Sequence, residues 1–152
     1  MTPKPESPPS RRAFLRLALV GVASRYVGAC SGGGGQSAES FGDVSAGNTS
    51  ALTVGSIVAI PGAPAFVARD ANGLYAMTTT CTHAGCDLGT RGSVSNGEIQ
   101  CGCHGSVFDA NGGVVHGPAQ SPLAHFAVTV DASGQITVHG GQEVGADVRT
   151  AP

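Results

Sequence analysis

The 152-residue chain has no tryptophan, and only 12% of its residues are charged. Its 24 glycines and 9 prolines break helices, so a coiled coil or a helical bundle, which need long runs of Ala, Leu, Glu and Lys, is excluded. Beyond residue 29 there is no cluster of Lys or Arg, and the net charge is −2, which argues against a nucleic-acid partner. The apolar content of 41% is enough for a core. The remaining class is a glycine-rich, loop-rich β protein.

The N-terminal segment, residues 1–29, differs in charge from the rest and predicts an export signal. Residues 30–152 carry three arginines and nine acidic residues, a net charge of −6. Arg11-Arg12, followed by Phe14-Leu15, precedes the apolar stretch 17–24 and resembles a twin-arginine signal. As a helix this stretch covers about 12 Å, whereas a membrane span needs about 20 apolar residues. We therefore predict a signal over residues 1–29 rather than a permanent span.

The end of this segment, Val27-Gly28-Ala29-Cys30, resembles a bacterial lipoprotein cleavage box. The resemblance implies cleavage before Cys30 and a lipid on its sulfur; the alternative is an ordinary cleavage site near Ala29 that leaves Cys30 free. The Gly- and Ser-rich residues that follow predict a flexible tether over residues 30–50. The expected location is the periplasmic face of a bacterial membrane, with attachment through the Cys30 lipid or an uncleaved N-terminus.

Short apolar runs between turn residues predict an all-β domain over residues 51–142. One hairpin is expected around Asp70–Gly73 and another at Asn96-Gly97, a dipeptide typical of tight turns. A third pairs residues 126–130 with 135–139. One face of it should carry Val128, Val130, Ile136 and Val138. Residues 143–152 show no pattern and are assigned to a C-terminal tail.

Two loops contain four of the five cysteines and two of the five histidines. The first reads Cys81-Thr-His83-Ala-Gly-Cys86, and the second reads Cys101-Gly-Cys103-His104-Gly-Ser106. Thiolates beside imidazoles favour iron, zinc or copper over calcium or magnesium. Three interpretations stay open on the residues alone: a structural zinc site, a domain with two disulfides, and an iron–sulfur cluster with Cys₂ on one iron and His₂ on the other.

The pattern Cys-x-His, the spacer 84–100 and then Cys-x-x-His resembles the Rieske [2Fe–2S] signature, in the disulfide-containing subclass of cytochrome bc complexes. The resemblance implies that Cys81 and Cys101 bind one iron and that His83 and His104 bind the other. It also implies a disulfide between Cys86 and Cys103. The fold it implies is all-β, with three antiparallel sheets and a small cluster-binding subdomain.

Four residues around these loops bear on the reduction potential of the cluster. Ser106 matches the serine that bonds a bridging sulfide in the family, whereas Phe108 stands where the high-potential members have a tyrosine. Gly117-Pro118 resembles the loop that covers the cluster. Rieske centres span about −150 to +300 mV. With one hydroxyl donor missing, we expect a potential in the middle of that range.

The function predicted from the sequence is one-electron transfer by an exported carrier or subunit that serves a periplasmic oxidoreductase. The alternatives are the Rieske subunit of a quinol–cytochrome c reductase and a structural metal-binding module without redox activity. The expected partners are a c-type cytochrome or another periplasmic redox protein, with quinol as a further candidate. No complete enzyme is expected in this chain. His116, His125 and His139 are expected to be strand or loop residues, the last two on the wetter strand face.

Overall fold

The computed structural model describes residues 40–152, which form two antiparallel sheets and almost no helix. Ten strands run in chain order. They are β1 (Asp43–Asn48), β2 (Ile57–Ala59), β3 (Ala65–Asp70), β4 (Gly73–Thr78), β5 (Gly92–Ser95), β6 (Glu98–Cys101), β7 (Val107–Asp109), β8 (Val114–His116), β9 (His125–Val130) and β10 (Gln135–Val144). A single turn of α-helix, α1 (Leu88–Arg91), precedes β5, and a 3₁₀ turn (Thr49–Ala51) follows β1. The all-β prediction is confirmed.

The larger sheet has six strands in the order β1-β10-β9-β4-β3-β2, and the smaller has four in the order β5-β6-β7-β8. The resemblance implied three sheets. Hydrogen bonding instead joins two of them into one, because β4 pairs with β9 at Ala76↔Phe126 and Met77↔His125. The four-stranded sheet carries the second cysteine loop and corresponds to the expected small subdomain.

The three predicted hairpins are present. β3 and β4 pair across the Asp70–Gly73 turn, and β9 pairs with β10. In the β5–β6 turn, Asn96 and Gly97 both have positive φ (51° and 76°), the backbone that a two-residue turn of this kind requires. Val128, Ile136 and Val138 are buried on one face, as their alternation predicted.

Strand β4 separates two apolar cores, and this placement explains one wrong prediction. Leu74 and Ala76 face the core of the six-stranded sheet, while Tyr75 and Met77 face the core beneath the cysteine loops. His125, opposite Met77 in β9, is only 3% exposed rather than on a wet face. Both faces of the sheet are covered at this end of β9, so the alternation does not expose His125.

The β domain extends further at both ends than the sequence predicted. Strand β1, inside the predicted tether 30–50, pairs with β10 at Asp43↔His139, so the domain begins near residue 43. β10 itself continues to Val144, past the predicted boundary at 142. The predicted signal over 1–29, Cys30 and the tether up to residue 39 lie outside the described residues. Within residues 40–152, no helix is long and apolar enough to cross a membrane.

The C-terminal tail packs against both sheets. Leu74 and Thr150 exchange two backbone hydrogen bonds of 2.8 and 2.9 Å. Arg149 donates to Asp70 and to Asn111 (both 2.7 Å), and its guanidinium lies 4.0 Å from the centre of the Tyr75 ring. Although partial burial opposes ionisation, the hydrogen bond from Arg149 holds the pKa of Asp70 below its usual value. The tail therefore links the β3–β4 turn to the β7–β8 turn of the smaller sheet.

Candidate metal centre

The two cysteine loops have the same backbone conformation. In the first, Cys81 N–H donates to the carbonyl of Cys86, and Gly85 N–H returns to the carbonyl of Cys81 (both 2.8 Å). In the second, Cys101 N–H donates to the carbonyl of Ser106 and Gly105 N–H to that of Cys101. Gly85 and Gly105 both have positive φ (72° and 79°), which lets each loop close on itself without strain.

A disulfide joins the loops between Cys86 and Cys103, with 6.6 Å between the Cα atoms. The resemblance implied this pair, and the structure confirms it. Cys81 and Cys101 remain as free thiols, both buried. The sulfur atoms of Cys101, Cys86 and Cys103 all lie within 4.8 Å of one another. Because the disulfide sulfurs carry no thiolate charge, Cys81 and Cys101 are the sulfur ligands left to a metal.

The surroundings of the Cys81 sulfur both oppose and support a negative charge. Burial, together with the neighbouring Cys101 thiol, raises the pKa of Cys81. Hydrogen bonds from the backbone N–H of His83 and from the Ser106 hydroxyl act in the opposite direction. A thiolate at this position is thus poorly solvated unless a cation binds it, which fits a metal ligand better than a surface thiol.

The imidazole rings of His83 and His104 meet where the two loops come together. Their centres are 4.8 Å apart, and the ring planes are nearly perpendicular. His104 is exposed and His83 is half-buried, whereas both free thiols are buried. The site therefore has a sulfur side that faces the core and an imidazole side that faces solvent.

A loop after β8 covers the site and is fastened to both cysteine loops. Ala119 N–H donates to the buried hydroxyl of Ser106 (3.0 Å). Thr82, from the first loop, donates to the carbonyl of Ser121 (2.6 Å). Gly117-Pro118, predicted as part of a cover, lies in this loop with a cis peptide bond. Phe108 lies below, fully buried in the same core as Cys81 and Cys101.

Two contacts that position the site were not predicted from the sequence. Thr82 carries the bond to Ser121, and Gly102 donates its N–H to the Arg91 carbonyl (2.9 Å), which ties the second loop to the helical turn. A Cβ atom on Gly102 would collide with that carbonyl oxygen. Nothing in the local sequence predicts either contact, because in both cases the partner belongs to a different segment of the chain.

Two free thiols, two neighbouring imidazoles and an inter-loop disulfide on an all-β fold fit an iron–sulfur electron-transfer protein. The model of the Rieske [2Fe-2S] domain family matches residues 43–127. The chain belongs to that family, and its cofactor is a [2Fe–2S] cluster.

Two curated relatives match part of this chain. The cytochrome b6-f complex iron-sulfur subunit of Synechococcus elongatus is 44% identical over 64 residues, which is 41% of this chain and 35% of the relative. Cytochrome b6-f complex iron-sulfur subunit 2 of Cyanophora paradoxa is 37% identical over 78 residues, which is 51% of this chain and 32% of the relative. The match thus spans about a third of the length of these relatives.

Two solved structures have similar folds. The cyanobacterial plasma membrane Rieske protein of Synechocystis PCC 6803 is 31% identical, with a TM-score of 0.50, and the match covers 62% of this chain and 97% of that one. A chain in the complex of oxygenase and ferredoxin of carbazole 1,9a-dioxygenase is 28% identical, with a TM-score of 0.51. The match covers 68% of this chain and 97% of that one. The similarity therefore extends over nearly the whole fold of each of these two chains.

Proposed function

We propose that this chain is the Rieske subunit of a cytochrome bc-type complex and carries one electron from quinol to a c-type cytochrome. The observation that supports the proposal is the site itself: a disulfide between the two loops beside two free thiols and two adjacent imidazoles. The curated relatives named above are subunits of cytochrome b6-f complexes, which favours this role over the periplasmic carrier expected from the sequence.

The residues that would hold the cluster are Cys81 and Cys101 on one iron, and His83 and His104 on the other. They fit the group because two thiols with no disulfide partner remain available as thiolate ligands on the core side, while the imidazoles occupy the solvent side. When bound, the cluster supplies a one-electron couple whose oxidised form is neutral and whose reduced form carries charge −1. Every other contribution comes from the protein.

The two sides of the site have different roles. On the buried side, the Ser106 hydroxyl and the His83 N–H stabilise negative charge on the Cys81 sulfur, and so favour the reduced state. On the open side, exposed His104 would hold the cluster and offer a ring nitrogen to quinol. A protein acceptor would approach the same surface, since the sulfur side is enclosed by the core.

A second candidate is a carrier that serves another exported oxidoreductase. Phe108 favours it, because a fully buried phenyl ring offers no hydroxyl to a ligand sulfur and so omits one stabiliser of the reduced state. A lower potential would suit a donor more reducing than quinol. For both candidates we propose export through the N-terminal signal, and attachment to the membrane through Cys30.

The experiment is electron paramagnetic resonance of the purified full-length protein after reduction with dithionite, followed by stopped-flow reduction of the oxidised protein with decylubiquinol. A Rieske spectrum with quinol-dependent reduction supports the bc-type role. The same spectrum without reduction by quinol favours the second candidate. A colourless protein that contains zinc would overturn both and leave a structural metal-binding module.

A further inference from the structure

Strand β8 is an open edge of the four-stranded sheet and exposes two adjacent valines. In the described part of the chain no strand pairs with its outer side. All three of its residues are exposed, and Val114 and Val115 have 37% and 56% of their surface open to solvent. Open edges are normally protected by charged residues or proline, and this strand contains neither. An edge strand without such protection is free to pair with or pack against another chain.

This edge is continuous with the imidazole side of the metal centre. His116 pairs with Val107, which directly follows Ser106 of the second cysteine loop. After His116 the chain passes through Gly117-Pro118 to Ala119, whose N–H is bonded to Ser106. A partner large enough to cover the exposed His104 and the cover loop would therefore also reach β8.

The combined surface carries few charges, with Asp87 and Asp109 at its borders, whereas the domain as a whole is acidic. Residues 78–86, 99–108 and 110–122 contain no Lys, Arg, Asp or Glu. Residues 40–152 as a whole carry eight carboxylates and three arginines. Two of these carboxylates, on Glu98 and Asp109, lie opposite each other at the end of the four-stranded sheet away from the metal centre. The complement of such a surface is an apolar contact patch surrounded by basic residues.

We propose that β8 (Val114–His116) and the cover loop extend the docking surface for the electron acceptor, a protein with an apolar contact patch ringed by lysine or arginine. The proposal rests on the electron-transfer function proposed above. The reaction with quinol takes place at the exposed imidazole of His104 and requires no contact with β8. The edge strand therefore discriminates between the two electron partners, because only the protein partner contacts it.

The test compares Val115→Asn with the matched control Val58→Asn. Val58 is 47% exposed on β2, an edge strand of the other sheet. Each full-length variant is reduced, and the second-order rate constant for electron transfer to a lysine-rich cytochrome c is measured by stopped flow. Loss of one apolar contact at the interface should lower that constant about fivefold for Val115→Asn and less than twofold for Val58→Asn. Reduction by decylubiquinol should be unchanged in both.

Three outcomes would contradict the proposed docking surface. They are equal rates in the two variants, an equal loss in the cytochrome and quinol reactions of Val115→Asn, and a rate that does not fall as ionic strength rises. If Val115→Asn lowers cluster content, Val115→Thr preserves the shape of the side chain and replaces it in the comparison. A wild-type protein without a Rieske spectrum would refute the proposed function itself, whereas a normal spectrum with unaffected variants refutes only this surface.

Discussion

The backbone N–H of Ala119 donates a 3.0 Å hydrogen bond to the side-chain oxygen of Ser106, and this bond fastens the cover loop to the second cysteine loop. The same hydroxyl lowers the pKa of Cys81, against the larger raising effect of burial. One side chain thus holds the cover in place and stabilises charge on a candidate ligand. Its two roles can be separated, since one affects stability and the other affects the potential.

Ser106→Ala should lower the midpoint potential by about 40 mV, because a hydrogen bond of about 1 kcal/mol no longer stabilises the reduced state. It should also destabilise the cover loop by about 1–3 kcal/mol, since the Ala119 N–H is left without its partner. Protein-film voltammetry and thermal unfolding measure the two effects. Ser106→Thr keeps the hydroxyl and serves as the control. A potential that stays at the wild-type value in Ser106→Ala would contradict the role assigned to the hydroxyl.

Phe108→Tyr should raise the midpoint potential by about 40 mV if the new hydroxyl bonds a ligand sulfur in the shared core. The matched control is Phe126→Tyr, which places the same hydroxyl in the core of the six-stranded sheet, away from the cysteine loops. Voltammetry of both variants distinguishes a local bond from a general effect of the substitution. An unchanged or lower potential in Phe108→Tyr would show that the missing donor does not set the potential.

Removal of the disulfide by Cys86→Ser should make the cluster labile. A cross-link that closes a loop of this length contributes about 3 kcal/mol, and here it joins the two loops that carry the candidate ligands. The half-life of the visible absorbance at 37 °C is expected to fall at least tenfold. Cys30→Ser, which changes a cysteine that precedes the domain, is the control and should match wild type. Equal absorbance half-lives for the two variants would show that the disulfide does not stabilise the cluster.

The buried His125 should make stability decrease in mild acid. Burial, opposed in part by the hydrogen bond to the Leu123 carbonyl, lowers the pKa of His125 in the folded state. The unfolded chain, with a histidine pKa near about 6.5, therefore takes up a proton first as the pH falls. The contribution of neutral His125 to the free energy of unfolding is present above about pH 6.5, and it is lost as the pH falls toward the folded-state pKa.

His125→Phe should flatten the dependence of unfolding free energy on pH between about 7 and 5. Groups that the two proteins share cancel in the comparison, so the difference between the two profiles isolates His125. Chemical denaturation across this pH range is the measurement. His116→Gln, at an exposed position on β8, is the control. Parallel profiles for wild type and His125→Phe would contradict the assignment.

Local sequence information predicted the parts of the fold that depend on neighbouring residues. The Asn96-Gly97 turn needs two positive φ angles, and the residues that supply them are adjacent in the chain. The cysteine loops are similarly local, since the backbone hydrogen bonds that close each loop stay within it. The Cys86–Cys103 pair came from the family resemblance, and the structure agrees with it.

The features that the sequence did not predict depend on distant pairings. His125 is buried because β9 meets β4, which lies much earlier in the chain, and because the smaller sheet covers the other face. Strand β1 was assigned to the tether because its partner, β10, lies at the opposite end of the domain sequence. The ligand roles of Cys81, His83, Cys101 and His104 stay predictions that the spectroscopy above will test.

The C-terminal segment has a consequence for how the protein is made. Thr150 pairs with Leu74, and Arg149 holds the Asn111 turn of the sheet that carries the second cysteine loop. Both residues are translated after every residue that they contact. These contacts therefore form only once this segment has emerged from the ribosome, and they reinforce an association of the two sheets that the core beneath the cysteine loops can already establish.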